Sequence, residues 1–338
     1  MRIGIAGVGR IGSAHAQVLA RHPDVDELVV YDADGERAGE VANKLGARHA
    51  ASVAELLTAN LAGVVIASAS SAHPELVMAA SDAGLPIFCE KPVAVDVPST
   101  RDVLAHVTRT GVPVQVGFQR RFDPGYIACR QALLDGRIGE LRRVHLLSAD
   151  PAPSDARFMR TSGGIFRDLL IHDFDILRWV TGREVTEVFV VGANRGDPLF
   201  GELGDVDETA LVLTLDDDTV VTGQASRYNG AGYDIRLEVA GTESTYVVGL
   251  ADRTPVHSAE PNVAFPDGEP WTWFYNRFET GYTNELNAFV DVAAGRRESP
   301  CSVDDALRAL YIAEASALSY AEKRPVLIEE IAHQGVAN

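Results

Sequence analysis

Residues 2–20, R-I-G-I-A-G-V-G-R-I-G-S-A-H-A-Q-V-L-A, constrain this chain more than any other stretch. The first five read as a short buried strand and Ala14 to Ala20 as a helix, so Gly7, Gly9 and Gly12 occupy the turn between them. In a strand–turn–helix the first glycine permits the tight turn, and the second lets a ligand's phosphates approach the backbone. The third lets the helix pack on the strand. The helix N-terminus offers unpaired N–H groups and the positive end of its dipole, with Arg10 and Ile11 in the turn. The spacing therefore points to a bound dinucleotide. The next strand, L-V-V-Y (28–31), ends in Asp32. A carboxylate there accepts from ribose hydroxyls and repels a 2′-phosphate, which predicts NAD in preference to NADP.

The alternation of strand and helix continues. Gly35 to Leu45 and Val53 to Leu57 read as helices, and G-V-V-I-A (63–67) as a buried strand. The polar loop S-A-S-S-A-H-P (68–74) follows at the carboxyl end of that strand, where open α/β sheets bind ligands. Ser68, Ser70 and His73 are thus cofactor-side candidates, His73 as a residue that caps or positions the following helix rather than one doing chemistry. P-I-F-C (86–89) is a further strand and delivers Glu90-Lys91-Pro92. Only Lys44, Lys91 and Lys323 are lysines among the 30 basic residues, and Lys91 alone follows an apolar strand. Arginine stays protonated, whereas a lysine ammonium is compact and can serve as a proton donor, so a lysine there suggests chemistry. V-P-V-Q-V-G-F (112–118) makes another strand, and Gln119, Arg120 and Arg121 after it are expected to face the ligand. Up to residue 118 the pattern predicts a doubly wound parallel sheet.

Beyond Asp123 the character changes. Pro124 to Leu134 reads as a helix, and 141–150 as an alternating strand leading into Asp150. Strands are expected at 185–191, 209–215, 219–226, 234–240 and 244–248, and closing helices at 283–295 and 302–322. Strands without intervening helices indicate a mostly antiparallel sheet, hence an α+β second domain. The expected division is a dinucleotide-binding domain over 1–122 and a substrate domain over 123–338. Between them in interest lies S-G-G-I-F-R-D-L-L-I-H-D-F-D-I-L-R-W-V-T-G (162–182), read as one buried helix capped at Ser162 and ended by Gly182. On such a helix Asp168, His172 and Asp175 share a face, and Asp168 can meet His172. A carboxylate beside an imidazole raises its basicity and suits a general base acting on an alcohol or carbonyl. A core histidine satisfied by a neighbouring acid is the alternative. A metal set of His172, Asp173 and Asp175 is disfavoured because Asp173 points to another helix face, so no metal is expected.

Composition narrows the partners. At 338 residues two domains are expected, and a hydrophobic content of 46% is enough for real cores. A formal charge of −18 disfavours nucleic acid or an anionic membrane surface. No run approaches the ~18 apolar residues of a membrane span. Cys89, Cys129 and Cys301 are scattered without C-x-x-C spacing, which predicts a reducing cytoplasm and argues against a thiolate metal site.

Taken together, Gly7-x-Gly9-x-x-Gly12, Glu90-Lys91-Pro92 and the Asp168/His172 segment resemble the Gfo/Idh/MocA oxidoreductases, and among them the inositol 2-dehydrogenases. The likeness extends through G-F-Q-R-R-F-D-P (117–124), D-P-A-P (150–153), the 162–175 string, G-Y-D-I-R-L-E-V (232–239) and R-F-E-T-G-Y (277–282). It departs from the family at Ser68-Ala69, where Thr-Pro is common, at Gln119, where Asn or Met is common, and at Ala231, where an aromatic is common. The resemblance implies that Lys91, Asp168 and His172 form the catalytic group. It also implies NAD as cofactor, an open-faced sheet in the second domain, and a homotetramer or dimer. The reaction it implies is oxidation of a secondary alcohol of a cyclic polyol, foremost myo-inositol to its 2-keto form. Arg120, Asp150, Tyr233 and Tyr282 are then candidates for substrate hydroxyls, beside Lys91, Asp168 and His172. Another inositol isomer, a pyranose sugar, and a non-catalytic nucleotide sensor are the alternatives.

Overall fold

The computed structural model describes residues 1–266 and 268–334. Contacts divide the chain into two compact units, one of Met1–Phe122 with Thr280–Arg308, the other of Asp123–Glu279 with the chain from Ala309 onward. The division expected from sequence places 280–308 in the second domain. The contacts differ because Leu286, Phe289 and Val290 fill the core around Ile3, Ile5, Val30, Val65 and Phe88. An apolar stripe on a helix shows that it must be covered but not by which sheet. The helix carrying those residues, Phe274–Ala293, bends at Phe278, where φ is −113° and ψ 19°.

The first unit holds β1 (Arg2–Ala6), β2 (Glu27–Tyr31), β3 (Arg48–His49), β4 (Gly63–Ile66), β5 (Ile87–Glu90) and β6 (Val114–Gly117). They pair in parallel in the order β3-β2-β1-β4-β5-β6. Strand order reverses between β2 and β4 on either side of β1, which opens a crevice beyond the carboxyl ends of the strands. Gly7, Asp32, Ala67 and Lys91 each follow such an end. Only β3 escapes the sequence pattern, because Arg48 and His49 are both exposed and offer no apolar signal.

The second unit holds β7 (Leu141–Ala149), β8 (Val185–Ala193), β9 (Glu208–Leu215), β10 (Val220–Ser226), β11 (Asp234–Gly241), β12 (Thr245–Val248) and β13 (Val326–Leu327). Their order is β12-β11-β7-β10-β9-β8-β13. The described pairings are antiparallel except that β10 runs parallel to β7. Side chains alternate as a one-sided sheet requires: Leu211, Leu213, Leu215 and Val221 are buried, while Phe189, Val191, Val212 and Val220 are exposed.

The segment 162–182 is not the single helix expected. It forms two, Gly164–Asp168 and Ile171–Thr181, with a turn at Leu169-Leu170. The N–H of Leu170 donates to Ile165 C=O and that of Asp173 to Leu170 C=O, so five-residue and three-residue steps replace the regular four. Ser162 is not the cap either. Gly163 and Gly164 take positive φ of 83° and 86°, and a Cβ at Gly164 would stand 2.9 Å from the Asp205 carboxylate. Asp205 accepts from the Ile165 N–H at 3.0 Å, satisfying a helix-end donor from a residue distant in sequence. The exit is as expected, with Gly182 left-handed at φ 66°.

Truncating the fully buried Phe289 to alanine should cost about 3–5 kcal/mol. Urea denaturation followed by fluorescence measures it, and a loss below about 1 kcal/mol would contradict a core role for this late helix.

Candidate functional site

The glycine turn leaves part of its backbone open to a ligand. Gly7 sits at φ 94° with its N–H donated to Tyr31 C=O at 2.8 Å, and the Ser68 backbone occupies the space a side chain would need. Gly9 is the opposite case: a Cβ added there meets nothing within 4 Å, so the backbone stands clear for a ligand. It precedes the helix Arg10–Leu19, whose first turn carries no acid. Asp32 Oδ2 accepts from the Val8 N–H at 2.8 Å. Its Oδ1 accepts from the Asp34 N–H at 2.9 Å and from Arg37 at 2.9 Å. Burial alone would raise this carboxyl's pKa, but those hydrogen bonds and Arg37 outweigh it and hold the pKa below the usual range. The cradle and the anionic acid beside it fit a dinucleotide.

Past β4, Ser70 opens a short 3₁₀ turn (Ser70–Ala72) and the helix His73–Asp82 follows. His73 is buried, and its ring nitrogens lie 2.7 Å from Pro92 C=O and 3.1 Å from Ser68 C=O. It ties the loop after β4 to the Glu90-Lys91-Pro92 corner, and its ring does not cap the helix that it opens, although capping was among the roles expected of it. Burial lowers its pKa against the opposing pull of those carbonyls and of Glu90. Lys91 is half-buried at the end of β5 and precedes a cis proline. Glu90 gives one oxygen to His15 at 2.6 Å and the other to the Lys91 N–H at 3.2 Å. Gln119, Arg120 and Arg121 form a buried 3₁₀ turn, Gln119–Phe122. Arg121 does not present its charge to a ligand crevice as expected: it donates to Pro300 C=O at 3.1 Å and pairs with Asp305 at 3.2 Å, within its own unit. Tyr282 is buried with its ring 6.0 Å from that of His15.

In the second unit one arginine organises the acids. The parallel register sets Ser226 beside Ala149, so the residues that follow, Arg227 and Asp150, fall side by side. The two guanidinium NH2 groups of Arg227 donate to Asp150 at 3.0 Å and to Asp168 at 3.1 Å. Arg227 is 2% exposed. Burial opposes its charge, but the two carboxylates more than compensate and raise its pKa. Sequence reading missed this residue, although a signal existed. Positions 221, 223 and 225 of β10 face inward, so Arg227 continues the buried parity. Asp168 closes its short helix and half-buried His172 lies in the first turn of the next. Tyr233 is buried edge-on to Phe278, with centroids 6.5 Å apart. Asp173 accepts from the Ser148 hydroxyl at 2.6 Å, and Asp175 is fully buried. Among the described residues, His172, Asp173 and Asp175 do not converge as metal ligands. The cluster with such spacing is His15, Glu90 and Glu285.

Two family models match: "Oxidoreductase family, NAD-binding Rossmann fold" over residues 1–118 and "GFO/IDH/MocA C-terminal domain" over 126–247. The chain belongs to the Gfo/Idh/MocA oxidoreductase family. It is 38% identical to a myo-inositol dehydrogenase of Streptomyces leeuwenhoekii over 94% of this chain and 98% of that one. Among solved structures, a myo-inositol dehydrogenase from Corynebacterium glutamicum matches with TM-score 0.88 at 32% identity, covering 97% of this chain and 98% of that one. A scyllo-inositol dehydrogenase from Lactobacillus casei, with NAD(H) and scyllo-inositol bound, matches with TM-score 0.88 at 26% identity, over 97% and 99%. Membership of this family brings NAD as the cofactor, with residues 1–118 matching its NAD-binding Rossmann fold. No helix among the described residues is long and apolar enough to cross a membrane.

Arg227→Met keeps bulk but strands two carboxylates, and should cost about 3–5 kcal/mol of unfolding free energy in urea titrations. Arg227→Lys should recover part of this, because the charge returns without the planar fork. Equal stability of all three proteins would remove Arg227 from its bracing role.

Proposed function

We propose that this protein is an NAD-dependent dehydrogenase that oxidises a secondary hydroxyl of a cyclitol, foremost myo-inositol at its 2-position. The observation that carries the reading is the near-full-length likeness to inositol dehydrogenases, extending across both units. Gly7, Gly9, Arg10, Ile11, Gly12 and Asp32 would hold the dinucleotide, with Ser68, Ser70, His73, Glu90 and Gln119 around them. NAD supplies the hydride acceptor when bound.

The chain's own side chains do the acid–base work. In this reading His172 takes the hydroxyl proton while the carbinol carbon gives up its hydride and the C=O bond forms. Asp168 orients the imidazole and favours its protonated form; Arg227, which donates to Asp168, holds that acid in place. Lys91 donates a hydrogen bond to the oxygen as alkoxide charge develops, worth a few kcal/mol in a water-poor site. Asp150, Arg120, Tyr233 and Tyr282 supply polar contacts to the remaining hydroxyls, since each unpaired buried polar group costs about 1–3 kcal/mol. Three buried, unbridged cysteines suit a reducing cytoplasm. The exposed row of Phe189, Val191, Val212 and Val220 suits burial in a homo-oligomer, as in a tetramer.

His172→Ala should lower kcat by about 10²–10⁴-fold and Lys91→Ala by about 10²–10³-fold, each with NADH binding within threefold of the parent. Turnover is read from NADH absorbance with myo-inositol, scyllo-inositol and glucose, and with NADP as parallel acceptor. No NADH formation with any cyclitol or sugar would overturn the dehydrogenase reading in favour of a nucleotide sensor.

A further inference from the structure

Three ionisable side chains to which the acid–base steps assign no part are packed together inside the first unit. They are His15 on the helix Arg10–Leu19, Glu90 at the end of β5, and Glu285 on the helix Phe274–Ala293. One nitrogen or carboxylate oxygen from each lies within 4.8 Å of the others, and His15 and Glu285 are 0% exposed. A metal ion does not suit the geometry. His15 Nε2 and Glu90 Oε1 are 2.6 Å apart, whereas two atoms on one tetrahedral ion stand about 3.4 Å apart. The contact is a charge-assisted hydrogen bond, the ring N–H donating to the carboxylate. That assignment leaves Glu90 Oε2 as acceptor for the Lys91 N–H, 3.2 Å away.

Glu285 lies behind this pair. Neither of its carboxyl oxygens has a hydrogen-bond partner among the described residues, while Gln115 Nε2 fixes its backbone by donating to Glu285 C=O at 2.8 Å. Burial first, and then the charge of Glu90, push its pKa well above the ordinary 4.5. A neutral acid there leaves Glu90 as the cluster's carboxylate charge. The other titratable groups that feel Glu90 are the buried Cys89 thiol, whose pKa burial and Glu90 both raise, and the buried His73, whose pKa Glu90 pulls up against burial; Tyr282 sets its ring against His15.

We propose that Glu90 is a positioning residue for Lys91: clamped by His15 through one oxygen, it holds the Lys91 N–H with the other and so fixes the backbone from which the ammonium extends. This rests on the reading of Lys91 as the group that stabilises the alkoxide.

The chain has only three lysines, so selective ¹⁵N-lysine labelling yields three backbone amide signals, from Lys44, Lys91 and Lys323. Glu90→Gln should move the Lys91 signal and leave the other two in place; an unmoved Lys91 signal overturns the proposal. His15→Asn, which withdraws the clamp, should move the same signal and serves if Glu90→Gln does not fold. Kinetically, Glu90→Gln should lower kcat at least tenfold, but should cost less than twofold when added to Lys91→Ala. Equal losses in both backgrounds overturn an action through Lys91. Full turnover by Lys91→Ala alone would instead sink the alkoxide reading, and the amide signals would still decide whether Glu90 holds that backbone. The neutral state of Glu285 has its own readout. An acid whose pKa is raised on folding contributes stability that is complete below about 4.5 and is lost as pH climbs through the raised value. Glu285→Gln should therefore gain stability over the parent as pH rises from 5 to 9 in urea melts. Parallel pH curves for the two would mean that Glu285 is not held neutral, and would overturn the single-carboxylate arrangement on which the clamp depends.

Discussion

A backbone contact underlies the nucleotide-binding half of this protein. Gly7 after β1 and Ser68 after β4 approach so closely that no side chain fits at Gly7. Neighbouring parallel strands deliver both segments to the same edge of the sheet, where the strand order reverses. The glycine turn, the Asp32 carboxylate, the loop held by His73 and the Glu90-Lys91-Pro92 corner all follow strand ends on that edge. One topological fact therefore gathers residues that are far apart in sequence. The open backbone at Gly9 and the anionic Asp32 are consequences of the same arrangement.

The second unit solves a different electrostatic problem. Two carboxylates withdrawn from water repel each other and tend to protonate unless a cation stands between them. Arg227 is that cation, donating to both, and the β7–β10 register is what brings it alongside Asp150. Buried charges of this kind stabilise little in total, because desolvation opposes the attraction. Their value is in geometry: a planar guanidinium holds each acid at a defined angle.

The break in the 162–182 segment follows the same logic of tertiary demand over local pattern. Its glycine pair is shaped by Asp205, whose carboxylate lies where a side chain at Gly164 would stand. Its Leu169-Leu170 turn joins residues that favour helix individually, so no local residue announces it. The result is two short helices presenting Asp168 at the end of one and His172 at the start of the next.

The parallel sheet, its glycine turn, Asp32 and the lysine after β5 were legible in the amino-acid sequence because each depends on local chemistry. Strand periodicity, left-handed glycine and residue type at a strand end are all encoded within a few positions. The one-sided sheet of the second unit was legible for the same reason, through its alternating strands. Arg227 was half legible, since its inward parity was visible but its two acid partners were not. The burial of Arg121 against Asp305, the capping of Ile165 by Asp205, the packing of residues 280–308 into the first core and the His15–Glu90–Glu285 cluster were decided only by the tertiary structure. Each joins residues widely separated along the chain. Periodicity says which side of an element must be covered, whereas the identity of what covers it depends on how distant segments fill the remaining volume and pair the remaining charges.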